Sequence, residues 1–270
     1  MSTADRRLLA RETALSAALA TSLAALLLWA TPPGVDWAAH AYQRTFLIEH
    51  GFAIWNNFWY AGRYSFVTYS LIYYPLAALL GIRVLALASI GTAAAAFTLV
   101  VFREWGWRAR FSSRTFAVLW VGIIGSAAFP FALAMSLALL SIWALQAGRR
   151  GRFAIGAVLT LAASPLAFLL LAIAGVGALV SRRSLRDVWL PIAAVAGAGA
   201  VELVIYRLFG DSGHFPFPLL ELLPALGFVG VGLIATSGVP SARVLRGFFW
   251  TYLVVVLGAY IVPSGLGSNI

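Results

Sequence analysis

Residues 13–30 read TALSAALATSLAALLLWA, eighteen positions without a charge, and Thr31-Pro32-Pro33-Gly34 follow at once. A helix needs about 20 apolar residues to cross the ~30 Å hydrocarbon core of a bilayer. This run is long for the 7–15-residue apolar centre of a cleaved signal peptide. It has no obvious small-x-small cleavage site before the prolines. The stretch therefore reads as a retained first span with its N-terminus inside.

The same texture continues outward along the chain. Of 270 residues, 62% are hydrophobic and 10% charged, and the mean hydropathy is +0.92. Soluble domains carry about 25% charged residues, so a water-soluble fold is excluded. Disorder needs low hydrophobicity and is excluded too. Outer-membrane barrels would show alternating strands of about ten residues. The expected class is all-α: a polytopic helical membrane protein forming a single transmembrane domain over 1–270. Further spans are expected near 66–80, 84–102, 116–129, 131–146, 153–180 (interrupted by Ser164-Pro165), 188–209, 219–236 and 248–262. Re-entrant turns included, that makes about nine to eleven membrane segments.

The formal charge of +10 comes from nineteen arginines and no lysine. Fifteen of them fall in five clusters between apolar runs: Arg6/Arg7/Arg11, Arg103/Arg108/Arg110/Arg114, Arg149/Arg150/Arg152, Arg182/Arg183/Arg186 and Arg243/Arg246. Such clusters orient spans with their basic loops in the cytoplasm. No basic surface is free of flanking spans, so nucleic acid is excluded as a partner. Membrane lipids are the expected partner, and the plasma membrane of a bacterium the expected location. The absence of cysteine excludes disulfides and thiolate chemistry. Two crossings within 66–102 would place the 103–114 cluster outside. One crossing within 153–180 would separate the clusters at 149–152 and 182–186.

Residues 31–65 are expected to form an outer loop. Ala38, Ala41, Thr45, Ile48 and Phe52 recur at helical spacing, which predicts an amphipathic helix lying in the interface. A second outer loop is expected at 210–218. All three histidines, His40, His50 and His214, fall in these loops, together with Asp36, Glu49 and Asp211. Chemistry is therefore expected on the outer face. Glu104 and Asp187 sit within arginine clusters, where local ion pairs do little, and Asp5 and Glu12 flank the first span.

Asp36 and His40 are four apart and share a helical face, which Gln43 and Arg44 continue. A carboxylate there can act as general base, while imidazole and guanidinium bind an anionic phosphate. Asp36 and His40 could also give two ligands to a divalent cation, the one cofactor this pattern leaves open. Equally, Asp after a Pro-Pro-Gly break is a favoured N-cap. The aromatic run Phe52, Trp55, Phe58, Trp59, Tyr60, Tyr64, Phe66, Tyr69, Tyr73 and Tyr74 fits an interfacial belt or a stacking wall for a sugar or polyprenyl chain. Glu202 lies inside an apolar run, either as an ion path or as an interhelical partner, with Arg207 nearby. It argues for the alternative class, a transporter or channel subunit. A third class is a non-catalytic integral membrane protein. No P-loop, GxSxG, HExxH or Rossmann fingerprint is present.

A first span, an outer loop opening Gly34-Val35-Asp36-Trp37-Ala38-Ala39-His40, interfacial helices and then many short-looped spans resemble the N-terminal part of GT-C glycosyltransferases. The runs 125–134 (GSAAFPFALA) and 163–167 (ASPLA) resemble multi-span GT-C-like proteins of actinobacterial type. The resemblance implies transfer of a sugar from a polyprenyl-phosphate donor at the outer face. It implies Asp36 as catalytic base, with His40, Arg44, Arg63 and His214 as substrate-binding candidates. Trp37 stands where many members carry a second acid. The ending Ser264-Gly265-Leu266-Gly267-Ser268-Asn269-Ile270 reads as a loop opening into further protein, so an N-terminal fragment is expected as readily as a whole chain.

Overall fold

The computed structural model describes residues 3–53, 55–56, 66–67, 70–181, 189–209 and 216–262. Among the described residues the chain is all-α apart from one two-residue ladder. In order the helices are α1 (Thr3–Ala30), α2 (Trp37–His50), α3 (Tyr73–Leu80), α4 (Ile82–Trp105), α5 (Arg110–Leu119) and α6 (Ile123–Ser126). They continue with α7 (Phe129–Gln146), α8 (Arg150–Ala163), α9 (Pro165–Ser181), α10 (Trp189–Phe209), α11 (Leu219–Thr236) and α12 (Arg243–Ile261). β1 (Trp55–Asn56) pairs antiparallel with β2 (Phe66–Val67), Trp55 opposite Val67.

Among the described residues, five helical stretches are long and apolar enough to cross a membrane: Asp5–Ala30, Ile82–Ser126, Phe129–Gln146, Leu219–Thr236 and Pro240–Ile261. Pro165–Leu179 and Trp189–Ile205 are shorter apolar helices. The segments expected at 66–80, 116–129 and 153–180 are not single spans. In the first, Ser70 sits in the left-handed region at φ 69° and its Oγ accepts the Tyr73 N–H at 3.0 Å. That starts α3 late, and Gly81 at φ 82° stops it after eight residues. Eight residues rise about 12 Å, far short of the hydrocarbon core. In the second, a 3₁₀ turn at Trp120–Gly122 and a left-handed Ala127 (φ 57°) divide the run. In the third, Ser164 is extended because a residue before proline is pushed out of the helical region.

The described residues group into two compact units, one within Met1–Ile54 and Thr68–Phe168, the other within Trp55–Val67 and Leu169–Ile270. In the first, α4 packs between α1 and α7, and α7 packs on α8. Small side chains let these helices approach closely: Ala20, Ala24, Ala86, Ala94, Ala117 and Ala132 are fully buried around Ile90 and Phe129. In the second, α11 packs on α12, with Phe249 seated against Gly232.

Contacts sort the first unit into two ends. At one end, Arg114 of α5 donates to both carboxylate oxygens of the buried Glu12 of α1, at 3.0 and 2.6 Å. At that same end, Gln146 at the foot of α7 donates to the Val100 carbonyl near the foot of α4 (3.3 Å). The clusters 6–11, 103–114 and 149–152 are therefore together. At the other end, the chain entering α2 binds the turn after α6, and Arg83 at the head of α4 stands over Trp37.

Candidate functional site

The site begins with a glycine. Gly34 leaves the first helix against the turn that follows α6, where any Cβ would collide with the Ile124 carbonyl and with Ala127. This close approach lets two backbone bonds form. The Val35 N–H donates to the Gly125 carbonyl (3.3 Å) and the Asp36 N–H to the Ser126 carbonyl (2.9 Å). Asp36 is thereby fixed by its own backbone rather than by its side chain.

Asp36 occupies the N-cap position of α2, yet its carboxylate makes no capping hydrogen bond and the residue is exposed. Capping does not account for it. Beside it, Trp37 packs edge-on against Phe129 (5.8 Å), and the Arg83 guanidinium lies over the Trp37 ring at 5.6 Å. Arg83 is exposed. It was not singled out by sequence. The only signal was that Arg44, Arg63, Arg83 and Arg207 stand outside the five clusters.

His40 does not share the surface with Asp36. It is buried in a box of Tyr73, Tyr74 and Phe129, with ring centroids 5.8, 6.0 and 6.1 Å away. Its Nδ1 lies 3.0 Å from the Tyr74 hydroxyl, and Nε2 has no hydrogen-bond partner. The Tyr73 hydroxyl is likewise buried without one. Burial pushes the His40 pKa down, against the opposing pull of the Asp36 charge and the Ala127 backbone. The neutral imidazole is thus the resident form near pH 7. The helical stripe expected from spacing is real, but it dips inward: Asp36 exposed, His40 buried, Arg44 half-buried.

Arg44 spends its Nε on the Ala77 carbonyl (2.8 Å), tying α2 to α3. It lies eight residues from Asp36, about 12 Å along the helix. As cation ligands Asp36 and His40 do not fit together, since one faces solvent and the other is enclosed. Among the described residues no group of three His, Cys, Asp or Glu side chains is placed to hold a metal ion. Arg63 and His214 lie outside the described residues.

The aromatic run divides as well. Phe52 and Trp55 are about half exposed, whereas Tyr73 and Tyr74 belong to the core around His40. Phe58, Trp59, Tyr60, Tyr64 and Tyr69 lie outside the described residues. Glu202 is half-buried on α10 and makes no ion pair with Arg207.

An exposed carboxylate held by backbone, a guanidinium on the neighbouring indole and a sealed imidazole behind them are what the first loop assembles. Compared with known protein families, with curated proteins and with solved structures, the chain matches none.

Proposed function

We propose that the chain is a multi-pass protein of the bacterial plasma membrane that transfers a sugar from a polyprenyl-phosphate donor at the outer face. The reading is supported by one observation above others. Asp36 is exposed, carries no capping bond and sits at the end of its unit opposite three arginine clusters. With those clusters in the cytoplasm, as the positive-inside rule requires, Asp36 faces outward.

In this reading the acceptor hydroxyl gives its proton to the Asp36 carboxylate as its oxygen attacks the anomeric carbon. The bond from that carbon to the phosphate oxygen breaks, its electron pair leaves with the lipid phosphate, and configuration inverts. Arg83, 5.6 Å from the ring adjoining Asp36, is the better placed cation for the leaving phosphate. Arg44 is farther off and partly engaged.

Loss of a general base costs about 10²–10⁴-fold in rate. Purified Asp36→Asn, supplied with a panel of polyprenyl-phosphate sugars and membrane acceptors, should lose transfer by that factor while still inserting. Full transfer in the variant, or none by the parent with any donor, overturns the assignment. Orientation is checked separately in the cysteine-free chain. A cysteine at the exposed Thr45 should react with an impermeant maleimide in intact cells, and one at the exposed Ser112 only after lysis. The opposite pattern rejects the outward site.

A further inference from the structure

The corner joining α4 to α5 carries a feature that sugar transfer does not use. Its 3₁₀ turn, Gly106–Ala109, leads directly into α5. Arg110 places its guanidinium 4.8 Å from the Trp107 ring centroid and 4.7 Å from that of Phe111. Both rings are solvent-facing, 42% and 63% exposed. A planar cation resting on two aromatic faces is oriented before any ligand arrives, and its N–H edge remains suited to fork a phosphate.

The surroundings are net positive. Arg103 and Arg108 are exposed on the same corner, and the Glu12–Arg114 pair brings the exposed Arg6, Arg7 and Arg11 to this end. Those five and Arg110 face two exposed acids, Asp5 and Glu104. Arg114 is neutralised by Glu12. The combination of oriented guanidinium, cationic field and exposed rings at the end of a long apolar helix has two demands. It suits a phosphodiester with an apolar body beneath it, the rings lying at headgroup depth and the arginines at the phosphate.

We propose that the Trp107–Arg110–Phe111 corner, with Arg103 and Arg108, is a binding site for the phosphate headgroup of an anionic phospholipid. The proposal rests on the membrane-embedded reading of this unit, but not on sugar transfer or on Asp36.

The test uses the full chain in mixed micelles of equimolar phosphatidylglycerol and phosphatidylcholine, with retained lipid read by native mass spectrometry. Phosphatidylglycerol should be retained over phosphatidylcholine by at least about 25-fold. With about fivefold from each arginine that meets the headgroup itself, Arg108→Gln with Arg110→Gln should lower that preference roughly 25-fold. Arg149→Gln with Arg152→Gln, on another turn of the same end, should leave it unchanged. Arg110→Lys, which keeps the charge and gives up the planar stack, should lose part of it and serves if the double variant fails to fold. Equal retention of the two lipids overturns the site, as does a preference indifferent to the corner substitutions. Displacement of the lipid by excess inorganic phosphate would show a free-phosphate site instead and also overturn it. Failure of Asp36→Asn to lose transfer leaves these outcomes untouched.

Discussion

At Gly34 a single hydrogen in place of a side chain decides where Asp36 stands. Gly34→Ala must push the α2 entry away from Ile124 and Ala127. Overpacking of this kind costs about 1–3 kcal/mol. Thermal unfolding should therefore fall in Gly34→Ala, and transfer should fall with it, whereas Asp36→Asn lowers transfer alone. His40 gives a pH dependence of definite sign. Its folded pKa is depressed by burial, so between that value and the unfolded one, about 6.5, the unfolded chain binds more protons. Stability is then full above pH 6.5 and declines as pH falls below it. Unfolding midpoints measured from pH 7.5 to 5.0 should drop, and the slope should flatten in His40→Gln. An unchanged slope would mean that His40 is not the group responsible. The DxxxH spacing was legible in the sequence, and so was the single helical face. That this face turns inward at His40 was not, because the partners Tyr73, Tyr74 and Phe129 are 33, 34 and 89 positions away.

Helices were legible wherever apolar length alone decides them, as in α1, α4, α7, α11 and α12. They were misjudged where a local backbone choice overrides hydropathy. Residues 66–80 are apolar enough for a span, but Ser70 and Gly81, both at positive φ, cut out a helix of eight residues. Ser70→Ala removes the Oγ that accepts the Tyr73 N–H and should cost about 0.5–2 kcal/mol, as cap losses do. The pairing of α1 with α5 was likewise hidden, because Glu12 and Arg114 are 102 residues apart. Its two halves are unequal: Glu12 is 3% exposed and Arg114 40%. Arg114→Gln leaves a buried carboxylate unpaired and should be clearly destabilising. Glu12→Gln leaves a guanidinium that can turn to water and should cost clearly less. Equal losses in denaturant titrations of the two variants would contradict this asymmetry.

For the first unit as a whole, arginines and acid site fall at opposite ends, the arrangement that the positive-inside rule asks of a membrane-embedded unit, although linear hydropathy predicted a conflict at 103–114. The resolution of the conflict at 103–114 lies in α3. Because it is too short to cross, α4 runs from the Asp36 end to the arginine end, and the later elements of this unit follow from that direction. The number of crossings before any given loop has a parity, and α3 holds that parity at its present value by being too short. More than three further helical turns there, about 12 residues, would convert a surface hairpin into a crossing and invert the later elements of this unit at one stroke. The insertion would set the arginines of 103–114 against the orientation they now enforce. Such a lengthened chain should insert in mixed orientations, with the Ser112 cysteine labelled in part from outside. Its small size makes α3 the point at which this protein's sidedness is most economically changed.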